Sequence, residues 1–119
     1  MKKVLALAAL AVASGALAQT TPAPQFSPEA FHAYWRDVHG PLGGRVPGVR
    51  RYVQHHAIEN LYAGGREPVY DGVAQTWFDD LEAMRAAAGT TERAATLEDE
   101  PNFITAGPPF VVCTSVVMR

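Results

Sequence analysis

Apolar side chains recur at helical spacing in the stretch FHAYWRDVHG. Ser27-Pro28 stands just before it and is typical of a helix start, because serine caps free N–H groups and proline fits the first turn. The spacing i, i+3, i+4 and i+7 predicts one buried stripe, made of Phe31, Tyr34, Trp35 and Val38. At about 100° per residue, His39 falls beside Trp35 on this stripe. We expect the helix to end at Gly40-Pro41, where a turn rich in glycine and proline begins.

Two later stretches have the pattern of β-strands. Residues 49–58, VRRYVQHHAI, and residues 69–78, VYDGVAQTWF, are both rich in β-branched and aromatic side chains. Because successive side chains of a strand point to opposite faces, Tyr52 and Gln54 share one face of the first strand. In the second strand, the face opposite Trp77 is a row of small residues that favours close packing of helices: Gly72, Ala74 and Thr76.

The rest of the pattern completes an α+β order. Asp79 or Asp80 is expected to cap a second helix, and Thr90 or Thr91 a shorter third one. The apolar run at residues 109–118 predicts a final strand. The order helix, strand, strand, helix, short helix, strand is typical of a sandwich with helices on one face of an antiparallel sheet.

The N-terminal pattern differs from the rest of the chain. Lys2-Lys3 precedes an uncharged run of apolar and small residues that ends in Ala16-Leu17-Ala18. This layout is typical of a secretory signal peptide, and the run is shorter than the roughly 20 residues of a membrane span. A strand is not expected there, because alanine and glycine dominate and nothing alternates.

The predicted division therefore has three parts: a signal peptide at residues 1–18, a proline-containing linker at residues 19–26 and one domain at residues 27–118. The mature protein is then periplasmic or secreted and leaves the membrane once the signal is cut. If residues 1–18 are retained, the expected location is the cytoplasm.

Composition excludes several classes of function. The 119 residues carry a net charge of -2 with a pI near 6.0, whereas nucleic-acid-binding domains are normally basic. Cys113 is the single cysteine, so the chain can form neither an intrachain disulfide nor a thiolate metal cluster. Its apolar strand context is typical of an inert buried thiol.

Several blocks of the sequence together resemble the EthD family. They are FHAYWRDVHGPL, GVRRYVQHH, YDGVAQTWFDDLEAMRAA and LEDEPNFI, followed by a closing FVV, and they extend from about Ser27 to Met118. The resemblance implies a ferredoxin-like βαββαβ fold whose protomers pair through their sheets as a dimeric α+β barrel. It also implies kinship with cofactor-free monooxygenases of polyketides and with lactone isomerases, although one architecture hosts many chemistries.

The sequence departs from the family pattern before Ser27. Family members normally carry a first strand there, whereas this chain has the alanine-rich run and the proline linker. Either the first strand is missing, or residues 1–18 replace it. A missing strand would leave an unpaired sheet edge and would strengthen the need for a dimer.

The candidate site centres on His39. This residue resembles the family's recurring histidine after the tryptophan of the first helix, and imidazole exchanges a proton near neutral pH. A histidine that merely bonds a carbonyl at a helix end is the open alternative. Tyr52 and Gln54 offer a hydroxyl and an amide to a ligand oxygen, and Trp35 and Trp77 offer apolar walls. The same side chains are equally typical of core or dimer contacts.

The other polar residues give no sign of a metal or cofactor site. His55 and His56 point to opposite faces of a regular strand, so they cannot hold one metal together. The turn GPLGG lacks the preceding strand and following helix of a dinucleotide-binding loop. The acidic run LEDEPNF is expected to be a solvated helix end.

Two hypotheses of different class follow. The first is a small EthD-like oxidoreductase that uses no bound metal or flavin and has monooxygenase- or isomerase-like chemistry on a small apolar or aromatic carbonyl compound. His39 would act as acid–base or as donor to a developing oxyanion, with Tyr52 and Gln54 orienting the ligand. The second is a non-catalytic exported module, ligand-binding or stress-associated, on the same barrel. In both, the expected partners are a second copy of the chain and a small ligand, and no nucleic acid.

Overall fold

The computed structural model describes residues 26–104 with their side chains, and the backbone of residues 4–8 and 110–111. The strands are β1 Val4–Ala8, β2 Arg51–His56, β3 Gly72–Trp77 and β4 Phe110–Val111. The helices are α1 Pro28–Tyr34, a π-helical segment Trp35–His39, α2 Gly40–Gly44, α3 Leu81–Ala88 and α4 Thr91–Asp99. Two 3₁₀ segments lie at Glu59–Gly65 and Glu100–Asn102. The predicted linker, apart from Phe26, and most of the predicted final strand lie outside the described residues.

The four strands form one sheet in the order β2-β3-β1-β4. β2 and β3 are antiparallel, with Arg51 opposite Trp77 and His56 opposite Gly72. β1 pairs in parallel with both β3 and β4, which requires crossover connections of the kind that helices provide. The predicted α+β class and the ferredoxin-like βαββαβ order are confirmed, although the sheet is mixed and only the β2–β3 pair is antiparallel among the described strands.

The expectation that the N-terminal run contains no strand is wrong. Val4–Ala8 forms β1 and lies between β3 and β4, with Val4 opposite Gly72 and Ala6 opposite Phe110. Pairing on both sides of a segment outweighs its weak intrinsic β-propensity, which is always a context-dependent quantity. The sheet therefore uses part of residues 1–18 as its first strand. Cleavage after Ala18 remains a prediction, and it would remove β1.

The first helix begins as predicted but does not end at Gly40-Pro41. The Ser27 side chain accepts a hydrogen bond from the Ala30 N–H at 3.1 Å, which confirms the cap. Gly40 donates its N–H to the Trp35 carbonyl five residues back, and this wide π turn admits Pro41 at the start of α2. The extra residue in the turn also changes which side chains point inward.

The π turn changes which side chains belong to the buried stripe, so the predicted stripe is partly wrong. Val38 is 47% exposed, whereas its neighbour His39 is buried at 8% exposure. A regular α-helix would have placed both near the stripe, but a π turn delays the rotation of each later side chain. Phe31 and Trp35 remain in the core, together with Ala74, Phe103 and Ile104.

The two faces of the sheet differ in what covers them. The helix-covered face carries Tyr52, Gln54, His56, Gly72 and Ala74, and the open face carries Arg51, Val53, His55, Val73, Gln75 and Trp77. Trp35 packs so tightly against Gly72 that a Cβ there would lie 2.1 Å from its ring. Glycine at position 72 is what allows the helix to approach β3 closely.

Candidate active site at His39

The π segment places His39 against the end of α4. Its Nδ1 lies 2.8 Å from Oδ2 of Asp99, and its ring packs on Phe103 with centroids 4.7 Å apart. The histidine is therefore held by a carboxylate, and not by a helix-end carbonyl as the sequence had left open. Since Asp99 accepts at Nδ1–H, Nε2 is the ring nitrogen that can take up a proton. Nε2 has no hydrogen-bond partner among residues 26–104.

Asp99 is the residue that sequence reasoning missed. It belongs to the acidic run expected to be solvated, but its side chain is only 12% exposed. Besides His39, it accepts hydrogen bonds from the Tyr34 hydroxyl at 2.5 Å and from the Asn102 amide at 3.1 Å. The sequence predicted that Asp99 lies near the end of a helix, but it did not predict that this side of α4 packs against the first helix. The expectation of a solvated run is wrong for this residue.

Burial and hydrogen bonding have opposing effects on the pKa values of His39 and Asp99. Burial lowers the pKa of His39, and the bond to Asp99 opposes that effect without reversing it. Burial alone would raise the pKa of Asp99, but the bonds from Tyr34, Asn102 and His39 outweigh it, so this pKa is lowered. The favoured state is a neutral imidazole beside an ionised carboxylate, which is a base held in one tautomer.

Tyr52 and Gln54 lie together on the helix-covered face, as predicted. The Gln54 amide nitrogen donates to the Trp35 carbonyl at 2.8 Å and to the Tyr52 hydroxyl at 3.3 Å. Because the Tyr52 oxygen accepts, its own O–H remains a donor. Burial raises the pKa of Tyr52, with the Gln54 bond opposing, so the hydroxyl stays neutral. This pair can present a proton donor to a ligand oxygen.

The two predicted tryptophan walls do not come together. Trp35 is 1% exposed and belongs to the core, where it packs on Phe31 and His56. Trp77 lies on the open face, with the Arg51 guanidinium 5.0 Å from its ring centroid. Trp77 therefore does not join Trp35, Tyr52 and Gln54, because strand alternation places it on the opposite side of the sheet.

A second polar cluster lies at the other end of the first helix. His32, His56, Tyr62 and Asp71 are connected by hydrogen bonds, and His32 and Tyr62 line an open groove of about 950 Å³. Sequence reasoning missed the cluster, although strand alternation had placed His56 on the same face as Gln54. Within the described part of the chain, no group of three or more His, Cys, Asp or Glu side chains is placed to hold a metal ion.

The fold and the His39 site define an α+β protein of ferredoxin-like topology with a buried histidine–carboxylate pair. The EthD domain model matches residues 23–107, which is more than half of the sequence. The chain belongs to the EthD family, and the resemblance found in its sequence is confirmed.

Among solved structures, an EthD family protein from Bacillus halodurans is similar to this chain. The two are 22% identical with a TM-score of 0.55, over 68% of this chain and 78% of the other. This level of identity supports the fold and not a shared reaction. No curated protein matches the chain. No helix in the described residues is long and apolar enough to cross a membrane.

Proposed function

We propose that this EthD-family protein is an acid–base enzyme acting on a small apolar or aromatic carbonyl compound. The observation that supports this proposal is the buried His39–Asp99 pair, in which the carboxylate fixes the imidazole tautomer and leaves Nε2 to accept a proton. A carboxylate that orients a histidine in this way is a recurrent arrangement in proton-transfer sites. Tyr34 and Asn102 hold the carboxylate itself in place.

The reaction proposed is removal of a proton next to a carbonyl group. Nε2 of His39 takes the proton from carbon, and the electron pair of the broken C–H bond moves onto the carbonyl oxygen as an enolate. The Tyr52 hydroxyl, which Gln54 orients, donates to that oxygen as its negative charge develops. Return of the proton to a different carbon gives isomerase-like chemistry. In monooxygenase-like chemistry, dioxygen adds to the enolate carbon of a CH₂ group, and the resulting hydroperoxide loses water to leave a new C=O group, so that the substrate carbon is oxidised and dioxygen is reduced.

Deuterium exchange tests the proton-transfer step without knowledge of the natural substrate. Aryl ketones, 1,3-diketones and unsaturated lactones are incubated with the protein in D₂O, and loss of their acidic C–H signals is followed by proton NMR. We expect exchange with at least one compound, reduced about 100- to 10,000-fold in His39→Gln. His55→Gln, on the open face, is the matched control and should retain the wild-type rate.

Two results would overturn this proposal. One is a folded His39→Gln variant that exchanges as fast as the wild type. The other is a wild-type protein that binds members of the panel, seen by calorimetry, yet exchanges none of them. The second result would favour the non-catalytic ligand-binding module. Oxygen consumption with the active compounds then separates monooxygenase-like from isomerase-like chemistry.

We also propose that the protein works as a homodimer paired through the open face. This proposal is supported by the half-buried apolar side chains Val53, Val73 and Trp77, which lie on the face away from Trp35 and the first helix. Paired sheets would cover them and form the barrel known for the family. Export to the periplasm or medium is proposed on the signal-like N-terminus alone. Mass spectrometry of the protein from its host distinguishes Gln19 from Met1 as the first residue.

A further inference from the structure

Hydrogen bonds connect four segments of the chain beside the groove. His32 of α1 and His56 of β2 face each other with their Nδ1 atoms 2.8 Å apart, and Nε2 of His32 lies 3.1 Å from the Tyr62 hydroxyl. Tyr62, in the 3₁₀ segment, donates to Oδ1 of Asp71 at 2.7 Å. At the opposite end, Nε2 of His56 lies 3.0 Å from Oε1 of Gln54. We call this series, from Asp71 to Gln54, the proton chain.

At the Gln54 end of the proton chain, the direction of the hydrogen bond is fixed. Its amide nitrogen already donates to the Trp35 carbonyl, and a flipped amide would bring two oxygens together at 2.8 Å. Oε1 therefore faces His56, and an amide oxygen can only accept. Nε2 of His56 must carry a hydrogen.

The number of hydrogens in the proton chain follows from its links. Four links run from Asp71 to Gln54, and each needs one hydrogen. With Tyr62 donating to Asp71, the phenol and two neutral imidazoles supply only three. Burial and the bond to Asp71 both raise the pKa of Tyr62, so its phenol keeps its proton. The intact chain needs one hydrogen more than its neutral groups provide.

We propose that the proton chain is a second proton-handling site, which stores one excess proton and thereby latches residues 57–71 to α1 beside the groove. Because Tyr62 donates to Asp71, we place this proton on the His32–His56 pair, where histidine NMR can detect it. With the proton gone, two ring lone pairs would face each other at 2.8 Å or another link would open. With a second proton added, two N–H groups would face each other. Residues 57–71 are held against α1 only when the proton chain carries one excess proton.

Charged and titratable groups from every neighbouring segment act on the proton chain. Burial, first, and then His32, Arg36 and His55 lower the pKa of His56. Asp71 is 2% exposed and accepts the hydrogen bond from the Tyr62 hydroxyl. Further acids lie on the groove or act on Tyr62: Glu29, Glu59 and Glu67.

Removal of one hydroxyl distinguishes storage of a proton from an ordinary polar contact. Of the four links, Tyr62→Phe keeps those from His32 to His56 and from His56 to Gln54, and two neutral imidazoles supply the hydrogens of both. The variant keeps the ring that packs at the groove, so the fold should persist. It should also lose the need for the excess proton, which a purely steric role for Tyr62 would not predict.

The experiment is a pH series of ¹⁵N-histidine NMR spectra on the full-length protein. We expect His32 and His56 to titrate as one coupled pair, with a midpoint at least about one pH unit above that of His55 in the same sample. In Tyr62→Phe the midpoint should fall to that of His55 or below, while His55→Gln leaves it unchanged. After correction for the pH dependence of intrinsic amide exchange, the protection of residues 57–71 should fall about tenfold above the wild-type midpoint, with the protection of α3 unchanged.

Three outcomes would overturn the proposal. The first is a wild-type spectrum in which both rings are neutral at pH 7 with separate midpoints below that of His55. The second is a folded Tyr62→Phe variant with the wild-type midpoint. The third is exchange in residues 57–71 that does not depend on the midpoint. The wild-type spectra decide the first point even if the variant fails to fold.

Discussion

The two histidine clusters flank Trp35 on one helix, and they differ in the partner that each imidazole has. His39 faces a carboxylate, which can only accept, so a neutral ring is sufficient to make the bond. His32 lies between the Tyr62 hydroxyl and His56, and in the proposed proton chain the four links are complete only when the chain holds one extra hydrogen. The hydrogen-bond partner, more than the depth of burial, therefore decides whether a histidine is neutral and can accept a proton or is protonated and can donate one.

Removal of Trp35 should disrupt both clusters at once and have the largest effect. Its ring packs on His56 and Gly72, and the helix it anchors carries His39. We expect Trp35→Ala to lower the free energy of unfolding by about 3–5 kcal/mol, because a buried aromatic volume is emptied. Thermal or urea melts measure it. Trp77→Ala, on the open face, is the matched control and should cost less; equal losses would contradict the core position of Trp35.

Asp99→Asn should break the carboxylate cluster alone. Burial lowers the pKa of His39 and Asp99 opposes that effect, so its removal should lower this pKa further. The proton-exchange rate proposed for the enzyme should fall about 10- to 100-fold, as expected when a bond between a charged group and a buried histidine is lost. Histidine NMR reads the pKa and the exchange assay the rate. The His32–His56 signals should stay in place, and their movement would show that the clusters are coupled.

The two clusters should give stability opposite dependences on pH. The pKa of His39 is lowered in the folded protein, so the unfolded chain binds more protons below about pH 6.5, and stability falls as pH falls. The proposed proton chain binds an extra proton when folded, so its contribution is lost as pH rises through its midpoint. Urea unfolding from pH 5 to 9 should therefore give a maximum.

Single substitutions assign the two limbs of that pH curve. His39→Gln should flatten the acid limb, and Tyr62→Phe should flatten the alkaline limb. Loss of both limbs in either variant would show that the assignments are wrong. Burial also lowers the pKa of His56, so some acid dependence should remain in His39→Gln.

Disruption of the open face should have the smallest effect on either cluster. We expect Val53→Asp to halve the mass measured by light scattering, from about twice the 12.8 kDa chain to one chain, because a charge would lie in the proposed interface. Histidine NMR spectra of His39 and of the proton chain should change little. Leu81→Asp, on α3, is the control that should remain dimeric. A folded wild-type monomer would count against the pairing.

Local spacing predicted much of the first helix and both central strands. Ser27 caps the helix, Trp35 is buried beside it, and Tyr52 and Gln54 share a face, because each of these follows from periodicity within one element. Asp99 could not be placed, since its meeting with His39 depends on how α4 crosses the first helix. Contacts of this kind depend on tertiary packing and leave no periodic signal in either segment.

The sequence-based prediction also failed where tertiary contacts outweighed a local sequence preference. Pro41 normally stops a helix, but the π turn before it supplies the room that its ring needs. Val4–Ala8 has a composition poor in β-formers, and partners on both sides make it a strand. The proton chain joins four segments, and no spacing in the sequence connects His32 with Asp71.

The position of β1 has a consequence for the order of events during synthesis. Val4–Ala8 leaves the ribosome before both of its partners, β3 at Gly72–Trp77 and β4 at Phe110–Val111. Such distant pairing is slow, because most of the polypeptide must be made before the strand can be sequestered. In that interval the proposed signal segment, which includes β1, would be accessible to secretion machinery. Whether the nascent chain is exported or folds around its own first strand then becomes a kinetic competition, which slower translation would shift toward export.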